Sequence, residues 1–164
     1  MKFLHLQIKN LTDIGVNQIV KSFNDDRGAL SVIFEKNNVD ISLKTTYSIP
    51  FVFRGMHMQL AESPQSKYIK VISGKVFEFL IDSRSDKSEI YTFEYGREDP
   101  WLLIPPYFYH GYLSLVDTQF VYLCEGRYSE KNECVINIVE EVSREFGIPG
   151  ILQSNKDKLP FKII

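Results

Sequence analysis

The strongest constraint on the fold is a repeated alternation of apolar and polar residues over short segments of the chain. Within residues 76–82, for example, Phe77, Phe79 and Ile81 fall on one face with period two. Alternation of this kind is typical of a half-buried β-strand, whereas an amphipathic helix repeats about every 3.6 residues. About ten such segments, separated by turn residues, predict an all-β sandwich or small barrel.

Predicted strands cover most of the chain, and one segment near the carboxyl end is helical. Residues 140–146 predict a short helix that is stopped by Gly147. Ser73 and Gly74 supply the turn of one predicted hairpin, and residues 116–118 supply that of another. These hairpins join residues 67–73 to 76–82 and residues 111–115 to 119–125. The other predicted strands are residues 3–8, 17–22, 29–35, 40–48, 51–59, 89–95, 101–104 and 134–139.

Length and composition limit the classes of partner. A chain of 164 residues predicts one domain, residues 1–164, large enough to bury a core. The net charge of −2 gives no general attraction for nucleic acid, so local Arg and Lys residues must hold any anionic ligand. We find no hydrophobic leader and no apolar run of bilayer length, which predicts a cytoplasmic protein without a membrane partner. Cys124 and Cys134 can form two buried thiols or one cross-strand disulfide.

Side chains that can bind anions or transfer protons are concentrated in one strand and the turn after it. Arg54, His57 and Lys67 provide an anion-binding guanidinium, a proton acceptor near neutral pH and a positive charge. A metal-binding barrel would offer His-x-His here, but Gln59 stands at the second position. Two histidines, His57 and His110, with a glutamine make a poor divalent site, so we predict no metal and no cofactor.

The same residues suit acid–base chemistry that needs no metal. By alternation, Tyr122 shares a face with Phe120 and Cys124, which predicts that its hydroxyl lies inside the barrel. His57 can remove a proton beside a carbonyl while Lys67 stabilises the enolate oxygen. Tyr122 can return a proton from the opposite face, and the carbon is then inverted. A carboxylate must orient the imidazole, and these residues alone do not identify it.

The chain also carries an ordered series of short motifs that covers nearly its whole length. These are Asp26-Arg27-Gly28, Arg54-Gly55-Met56-His57-Met58-Gln59, Gln65-Ser66-Lys67, Gly74-Lys75-Val76-Phe77, Asp82-Ser83-Arg84, Ile104-Pro105, His110-Gly111-Tyr112, Tyr122, Tyr128-Ser129 and Ser154-Asn155-Lys156-Asp157. This series resembles the family of nucleotide-4-keto-6-deoxysugar 3,5-epimerases, the family of dTDP-4-dehydrorhamnose 3,5-epimerase. The spacing between Arg54 and Lys67 matches that family without a gap.

The resemblance implies a dimeric jelly-roll barrel of the cupin type that uses no metal. It implies that His57 is the base and that Asp157 is its carboxylate partner. It also implies that Tyr122 is the acid and that Lys67 stabilises the enolate. The residues implied in substrate binding are Arg27, Arg54, Gln59, His110 and Tyr128. In this family part of the nucleotide site comes from the neighbouring subunit, which implies a homodimer.

The implied function is inversion of C3, C5 or both in a 4-keto sugar linked to a nucleoside diphosphate, within deoxysugar or heptose synthesis for surface polysaccharide. Val32, Pro100 and Arg127 depart from the family near its nucleotide and sugar contacts. The sugar nucleotide is therefore left open between a dTDP-linked 4-keto-6-deoxyhexose and a GDP-linked 4-keto-heptose. Two other interpretations are a sugar-nucleotide 3,4-ketoisomerase and a non-catalytic, cupin-like sugar-binding module.

Overall fold

The structure, a computed structural model, describes residues 2–5, 17–19, 22–25, 28–31, 40–84, 86, 89–154 and 157–158. Within these residues the chain forms thirteen strands, a 3-10 turn and one α-helix. The strands are β1 Lys2–His5, β2 Asn17–Ile19, β3 Ser22–Asp25, β4 Gly28–Ser31, β5 Ile41–Ser48, β6 Phe53–Gln59, β7 Ser66–Ser73, β8 Lys75–Asp82, β9 Glu89–Gly96, β10 Trp101–Ile104, β11 Phe108–Ser114, β12 Thr118–Glu125 and β13 Glu133–Val135. The 3-10 turn is Glu130–Asn132, and helix α1 is Val139–Phe146.

Two large sheets make up most of the described structure. The six-stranded sheet has the order β1-β9-β8-β11-β6-β13, and the five-stranded sheet has the order β2-β10-β7-β12-β5. Strands β3 and β4 form a separate two-stranded ribbon. Strand β1 pairs with β9 in parallel, and the strands that carry the site pair in antiparallel fashion. The predicted all-β jelly-roll barrel with a short helix near the carboxyl end is confirmed.

Both predicted hairpins are wrong, because at each turn the chain passes from one sheet to the other. Strand β7 belongs to the five-stranded sheet and β8 to the six-stranded sheet, and β11 and β12 are divided in the same way. The two corners lie side by side, since a Cβ on Gly74 would overlap the Asp117 carbonyl oxygen. Gly74 has a φ of 87°, which suits glycine and redirects the chain. Alternation is the same in a hairpin and in a corner, so it does not distinguish them.

The remaining predicted elements are confirmed over much of their length, with one clear correction. The predicted strand 134–139 is wrong beyond Val135, because Ile138 is the N-cap of α1 and Val139 begins the helix. Gly147 ends the helix with a φ of 65°, a left-handed conformation that glycine adopts without strain. Parts of the predicted strands 3–8, 17–22 and 29–35 lie outside the described residues.

Two apolar clusters bury both faces of the six-stranded sheet. The inner cluster lies between the sheets and contains Leu80 from β8 together with Ile69 and Phe120 from the other sheet. The outer cluster lies between the six-stranded sheet and α1, where Phe79 and Val142 are fully buried. Complete burial of a side chain of this size stabilises the fold by about 1.5–3 kcal/mol. The two clusters therefore hold the six-stranded sheet rigidly in place as a platform.

An extra residue in β6 turns two polar side chains toward the inside of the barrel. Strand β6 pairs with β11 so that His57 lies opposite His110 and Arg54 lies opposite Tyr112. Three steps along β6 thus match two steps along β11, which is a β-bulge at Gly55. Without the bulge, strict alternation would place Arg54 and His57 on opposite faces of the sheet. The bulge lets both of them face the same cavity.

Two glycines allow β6 and β11 to meet at this bulge. Gly55 has a φ of 125°, and a Cβ there would lie 2.5 Å from the Cα of Gly111. A Cβ on Gly111 would lie 2.8 Å from the Arg54 carbonyl oxygen. Real Cβ atoms do not approach backbone this closely, so both positions require glycine. In the pairs Arg54-Gly55 and His110-Gly111, the backbone thus requires the glycine, while the first residue carries a polar side chain.

We expect Gly55→Ala to destabilise the fold by about 3 kcal/mol or more, because strain at a positive φ is added to a backbone clash. Gly147→Ala is the matched control, since its φ is also positive but no atom lies within 4 Å of its Cβ position. That control should lose only about 1 kcal/mol. Urea unfolding curves measure both free energies. Equal losses in the two variants would contradict the close approach of β6 and β11.

Candidate active site

A cavity of about 270 Å³ lies between the two sheets, beside the inner apolar cluster. His57 and His110 enter it from the six-stranded sheet, and Lys67 and Tyr122 enter it from the five-stranded sheet. Each predicted site residue within the described part of the chain lines this cavity, and Arg27 lies outside that part. The lining residues are Lys44, Thr46, Arg54, His57, Met58, Gln59, Gln65, Lys67, His110, Tyr112, Phe120, Tyr122, Cys124, Tyr128, Glu133, Ser154 and Asp157.

The His57 imidazole lies between two carboxylates. Its Nε2 is 2.7 Å from Asp157 Oδ1, and its Nδ1 is 2.8 Å from Glu133 Oε1. Glu133 reaches the site because β13 pairs with β6, with Glu133 opposite Gln59. The Tyr128 hydroxyl donates a hydrogen bond of 2.9 Å to the second oxygen of Glu133. The resemblance implied one carboxylate partner, Asp157, and the structure adds a second.

These carboxylates change the basicity of His57. Burial by itself lowers the pKa of the imidazole, but the hydrogen bonds and charges of Asp157 and Glu133 outweigh burial and raise the pKa above its ordinary value. The side chain keeps 23% of its surface exposed, on the side of the cavity. Because both ring nitrogens are engaged, one carboxylate must release its nitrogen before the imidazole can accept a proton from a ligand.

Lys67 and Tyr122 face His57 from the other sheet. The Lys67 ammonium donates to the His57 carbonyl oxygen at 3.3 Å, and burial lowers the pKa of Lys67. The Tyr122 ring packs against the inner cluster, and the Lys44 ammonium lies 5.9 Å from its centroid. Burial raises the pKa of Tyr122 above its ordinary value, so the phenol keeps its proton at neutral pH. The cavity therefore has an imidazole on one wall and a protonated phenol on the other.

Two further predicted residues are held by neighbours at the cavity wall. Arg54 donates from Nε to Ser48 Oγ at 2.9 Å and from Nη2 to the Tyr47 carbonyl oxygen at 3.1 Å. These bonds hold the guanidinium against β5, the edge strand of the five-stranded sheet, and Arg54 stays exposed. The Gln59 side-chain oxygen accepts a hydrogen bond of 3.0 Å from the Ser129 backbone N–H. Gln59 thus positions the loop after β12 and also lines the cavity.

Three residues with ionisable side chains at the site were missed by the sequence analysis. Lys44 projects from β5, with its ammonium 5.5 Å from the centroid of the Tyr128 ring. Glu78 is fully buried on β8, and its Oε2 lies 2.8 Å from His110 Nε2. The available signal for Glu78 was an acid inside the otherwise apolar run of residues 76–81 in β8. Glu133 has no such signal, because only the pairing of β13 with β6 brings it to the site.

Both cysteines are free and buried. Cys124 lines the cavity, whereas Cys134 belongs to the outer cluster on the other side of the six-stranded sheet. Of the two arrangements that the sequence left open, the structure therefore has two buried thiols. Among the described residues, no helix combines the length and the apolar character needed to cross a membrane.

Comparison with known proteins agrees with the motif series and the fold. The family model for dTDP-4-dehydrorhamnose 3,5-epimerase matches residues 9–162. The chain belongs to this family. It is 32% identical over 123 residues to the dTDP-4-dehydrorhamnose 3,5-epimerase of Methanothermobacter thermautotrophicus, an alignment that covers 65% of this chain. It is 29% identical over 114 residues, or 63% of this chain, to the enzyme of that name from Mycobacterium tuberculosis. The chain spans 64% and 54% of the length of these two relatives.

A solved member of the epimerase family shares the architecture over nearly its full length. The crystal structure of dTDP-4-dehydrorhamnose 3,5-epimerase from Sulfolobus tokodaii superposes with a TM-score of 0.72 at 26% identity. The superposition covers 92% of this chain and 94% of the Sulfolobus chain. The predicted family and its barrel are thus confirmed.

We expect Glu133→Gln to lower the pKa of His57, because the change removes a negative charge that stabilises the imidazolium. The midpoint of the His57 titration, followed by NMR of its ring, should move to lower pH. Asp157, which also bonds the imidazole, is unchanged in this variant, and so are the cavity residues Lys67 and His110.

Glu130→Gln is the control for this titration, since it removes an exposed carboxylate from the 3-10 turn next to β13. It should leave the midpoint of His57 where it is. A midpoint that stays unchanged or rises in Glu133→Gln would show that Glu133 does not stabilise the charged imidazole.

Proposed function

We propose that this chain is an epimerase that inverts C3, C5 or both in a 4-keto sugar linked to a nucleoside diphosphate. The observation that carries the proposal is the His57 imidazole, paired with Asp157 at 2.7 Å, in one cavity with Lys67 and Tyr122. Membership of the dTDP-4-dehydrorhamnose 3,5-epimerase family supports the reaction type and the class of substrate. A place in deoxysugar or heptose synthesis for surface polysaccharide fits this substrate class.

The placement of base and acid on opposing sheets supports an inversion. His57 lies on β6 of the six-stranded sheet, and Tyr122 lies on β12 of the five-stranded sheet. A sugar ring held between the sheets presents one face to each residue. Removal of a proton on one face and delivery on the other inverts the carbon. A ketoisomerase has no need for an acid on the face opposite the base, so this layout favours an epimerase.

The proposed reaction moves protons without any change in oxidation state. His57 takes the proton from the carbon next to the C4 ketone, and the electron pair of that C–H bond moves to the ketone oxygen. The Lys67 ammonium stabilises the resulting enolate oxygen in the cavity between the sheets. The enolate then re-forms the ketone as its carbon takes a proton from the Tyr122 hydroxyl. Asp157 holds the His57 ring and stabilises the imidazolium.

Substrate binding is proposed for the remaining predicted residues at the cavity wall. Arg54 offers an exposed guanidinium that suits a phosphate, and Tyr128 offers a ring and a hydroxyl at the mouth. Gln59 and His110 supply hydrogen-bonding groups deeper in the cavity. Arg27, from the motif Asp26-Arg27-Gly28, stays a prediction from the sequence. The cation Lys44 adds an anion-binding group that the sequence analysis did not include.

Deuterium exchange tests the roles of His57 and Tyr122. The probe is a dTDP-linked 4-keto-6-deoxyhexose incubated in deuterium oxide, with a GDP-linked 4-keto-heptose in parallel. We expect His57→Ala to lose exchange at both carbons next to the ketone by about 10²- to 10⁴-fold, the usual contribution of a general base. Tyr122→Phe should still exchange the proton on the face of the base, but it should not invert the carbon.

Tyr91→Phe is the matched control for Tyr122→Phe, because both rings pack against the inner cluster but Tyr91 does not line the cavity. It should epimerise at the normal rate. Normal inversion by Tyr122→Phe, or normal exchange by His57→Ala, would overturn the assigned roles. Transfer of the keto group to C3 would identify a ketoisomerase, and tight binding without any exchange would identify a binding module.

We also propose a homodimer that covers strand β5. This strand is at the edge of the five-stranded sheet and, among the described strands, pairs only with β12. Lys44 and Thr46 line the cavity on one face, while Leu43 and Tyr47 on the other face are 63% and 61% exposed. An exposed apolar edge strand promotes aggregation unless another chain covers it. A second copy is the partner that the family resemblance implies.

We expect Leu43→Glu to shift the protein from dimer to monomer, because it places a charge on the face that a second copy would cover. Val116→Glu is the control, since Val116 is exposed and apolar but lies at the corner between β11 and β12. Sedimentation at dilute concentration measures both. A monomeric parent protein, or a Leu43→Glu variant that remains a dimer, would contradict this interface.

We further propose that the protein works in the reducing environment of the cytoplasm. Its two cysteines are buried as free thiols, an arrangement that suits a compartment where disulfides are rare.

A further inference from the structure

A buried acid stands directly behind one of the cavity histidines. Glu78 has no exposed surface, and its Oε2 lies 2.8 Å from His110 Nε2. Its other oxygen, Oε1, has no hydrogen-bond partner among the described residues. His110 is 11% exposed in its side chain and lines the cavity. The hydrogen bond therefore connects a fully buried carboxyl group to a histidine that lines the cavity.

The unpartnered oxygen indicates which form of Glu78 the structure accommodates. An ionised carboxylate spreads its charge over two oxygens, and burying one of them without a donor is very costly. A neutral carboxylic acid has one O–H donor and one carbonyl oxygen, so a single hydrogen bond satisfies its donor. An unpartnered carbonyl oxygen costs much less than an unpartnered charged oxygen. The arrangement around Glu78 thus fits the neutral acid.

The electrostatic surroundings of Glu78 and His110 also favour the neutral form of each residue. Burial raises the pKa of Glu78 well above its ordinary value, even though the nearby Lys67 charge opposes this. Burial, together with the charges of Lys67 and His57, lowers the pKa of His110 well below its ordinary value. Both shifts favour the neutral form of each group over its charged form. A neutral acid must donate its proton, and a neutral imidazole accepts it only at a nitrogen that carries no hydrogen.

We propose that Glu78 is a positioning residue that donates its carboxyl proton to His110 Nε2 and so holds the imidazole in its Nδ1–H tautomer. His110 then presents an uncharged N–H donor, fixed in direction by a buried partner. Among the described residues no hydrogen-bond acceptor engages Nδ1, so this proton is available to a ligand oxygen.

The role of this donor in catalysis rests on the proposed function. The ligand oxygen would be the ketone of the sugar, which becomes the enolate oxygen when His57 removes the neighbouring proton. Lys67 and His110 would then donate to the same developing charge from opposing sheets. Because His110 stays neutral and its lone pair faces Glu78, it does not compete with His57 as a base.

The tautomer is tested on the free protein, without substrate. Nitrogen-15 NMR of the imidazole rings should show a protonated Nδ1 and an unprotonated Nε2 for His110 throughout the neutral pH range. Infrared spectroscopy should show the carbonyl stretch of a buried carboxylic acid, and this band should disappear in Glu78→Gln. A protonated Nε2, an imidazolium, or the absence of the acid band would overturn the proposal.

Two variants of this chain test the effect on catalysis. Glu78→Gln keeps an N–H donor of nearly the same shape, so it should preserve the His110 tautomer and most of kcat. Glu78→Met removes the donor and should lower kcat by about 10²-fold, the typical effect of losing one donor to an oxyanion, with a smaller change in KM. Equal losses in the two variants would show that the carboxylate charge, rather than the donor, is required.

The spectroscopic test and the kinetic test can fail independently of each other. If the parent protein has no epimerase activity, the proposed function is wrong, but the NMR and infrared results still decide the state of Glu78 and His110. If Glu78→Met does not fold, which circular dichroism will show, the spectra of the parent protein and the kcat of Glu78→Gln decide the proposal.

Discussion

The hydrogen bond between His57 and Asp157 joins positions that are 100 residues apart, and the organisation of the site depends on it. The tail that carries Asp157 is anchored by a parallel bridge between Val52 and Leu152, next to the start of β6. Burial would otherwise make His57 a weaker base, because a desolvated imidazole holds its proton less tightly. The carboxylates of Asp157 and Glu133 reverse this effect. The basicity of the His57 imidazole is therefore set by tertiary structure rather than by β6 alone.

The bulged backbone of β6 places two residues of one short sequence motif on the same wall of the cavity. Arg54 and His57 are three residues apart, and in a regular strand they would point in opposite directions. The bulge at Gly55, made possible by the small residue Gly111 across the strand pair, turns both toward the cavity. Because the six-stranded sheet is packed on both faces, it holds this irregular backbone rigidly. The five-stranded sheet then only has to supply the opposing wall.

The sequence predicted the all-β fold, the helix and eight of the residues that line the cavity, because alternation and short motifs are written in consecutive residues. It failed where long-range pairing decides the outcome. Alternation cannot tell a hairpin from a corner between sheets, so the turns at Gly74 and Asp117 were both misassigned. Asp157 came only from the family resemblance, since nothing in its polar surroundings marks it. Glu133 was missed because the pairing of β13 with β6 is invisible in the sequence.

The neutral state of Glu78 also determines what Lys67 can do. A charged carboxylate near Lys67 would raise the pKa of the ammonium and would already balance its charge before any ligand arrived. With Glu78 neutral, one of the negative charges near Lys67 is absent in the resting site, and that of Glu133 remains. In the proposed reaction, the attraction between Lys67 and the ketone oxygen is then greatest when that oxygen becomes an enolate, which is the moment at which stabilisation accelerates a reaction. In this proposal, a buried acid that stays neutral sharpens the response of the cavity to a developing negative charge.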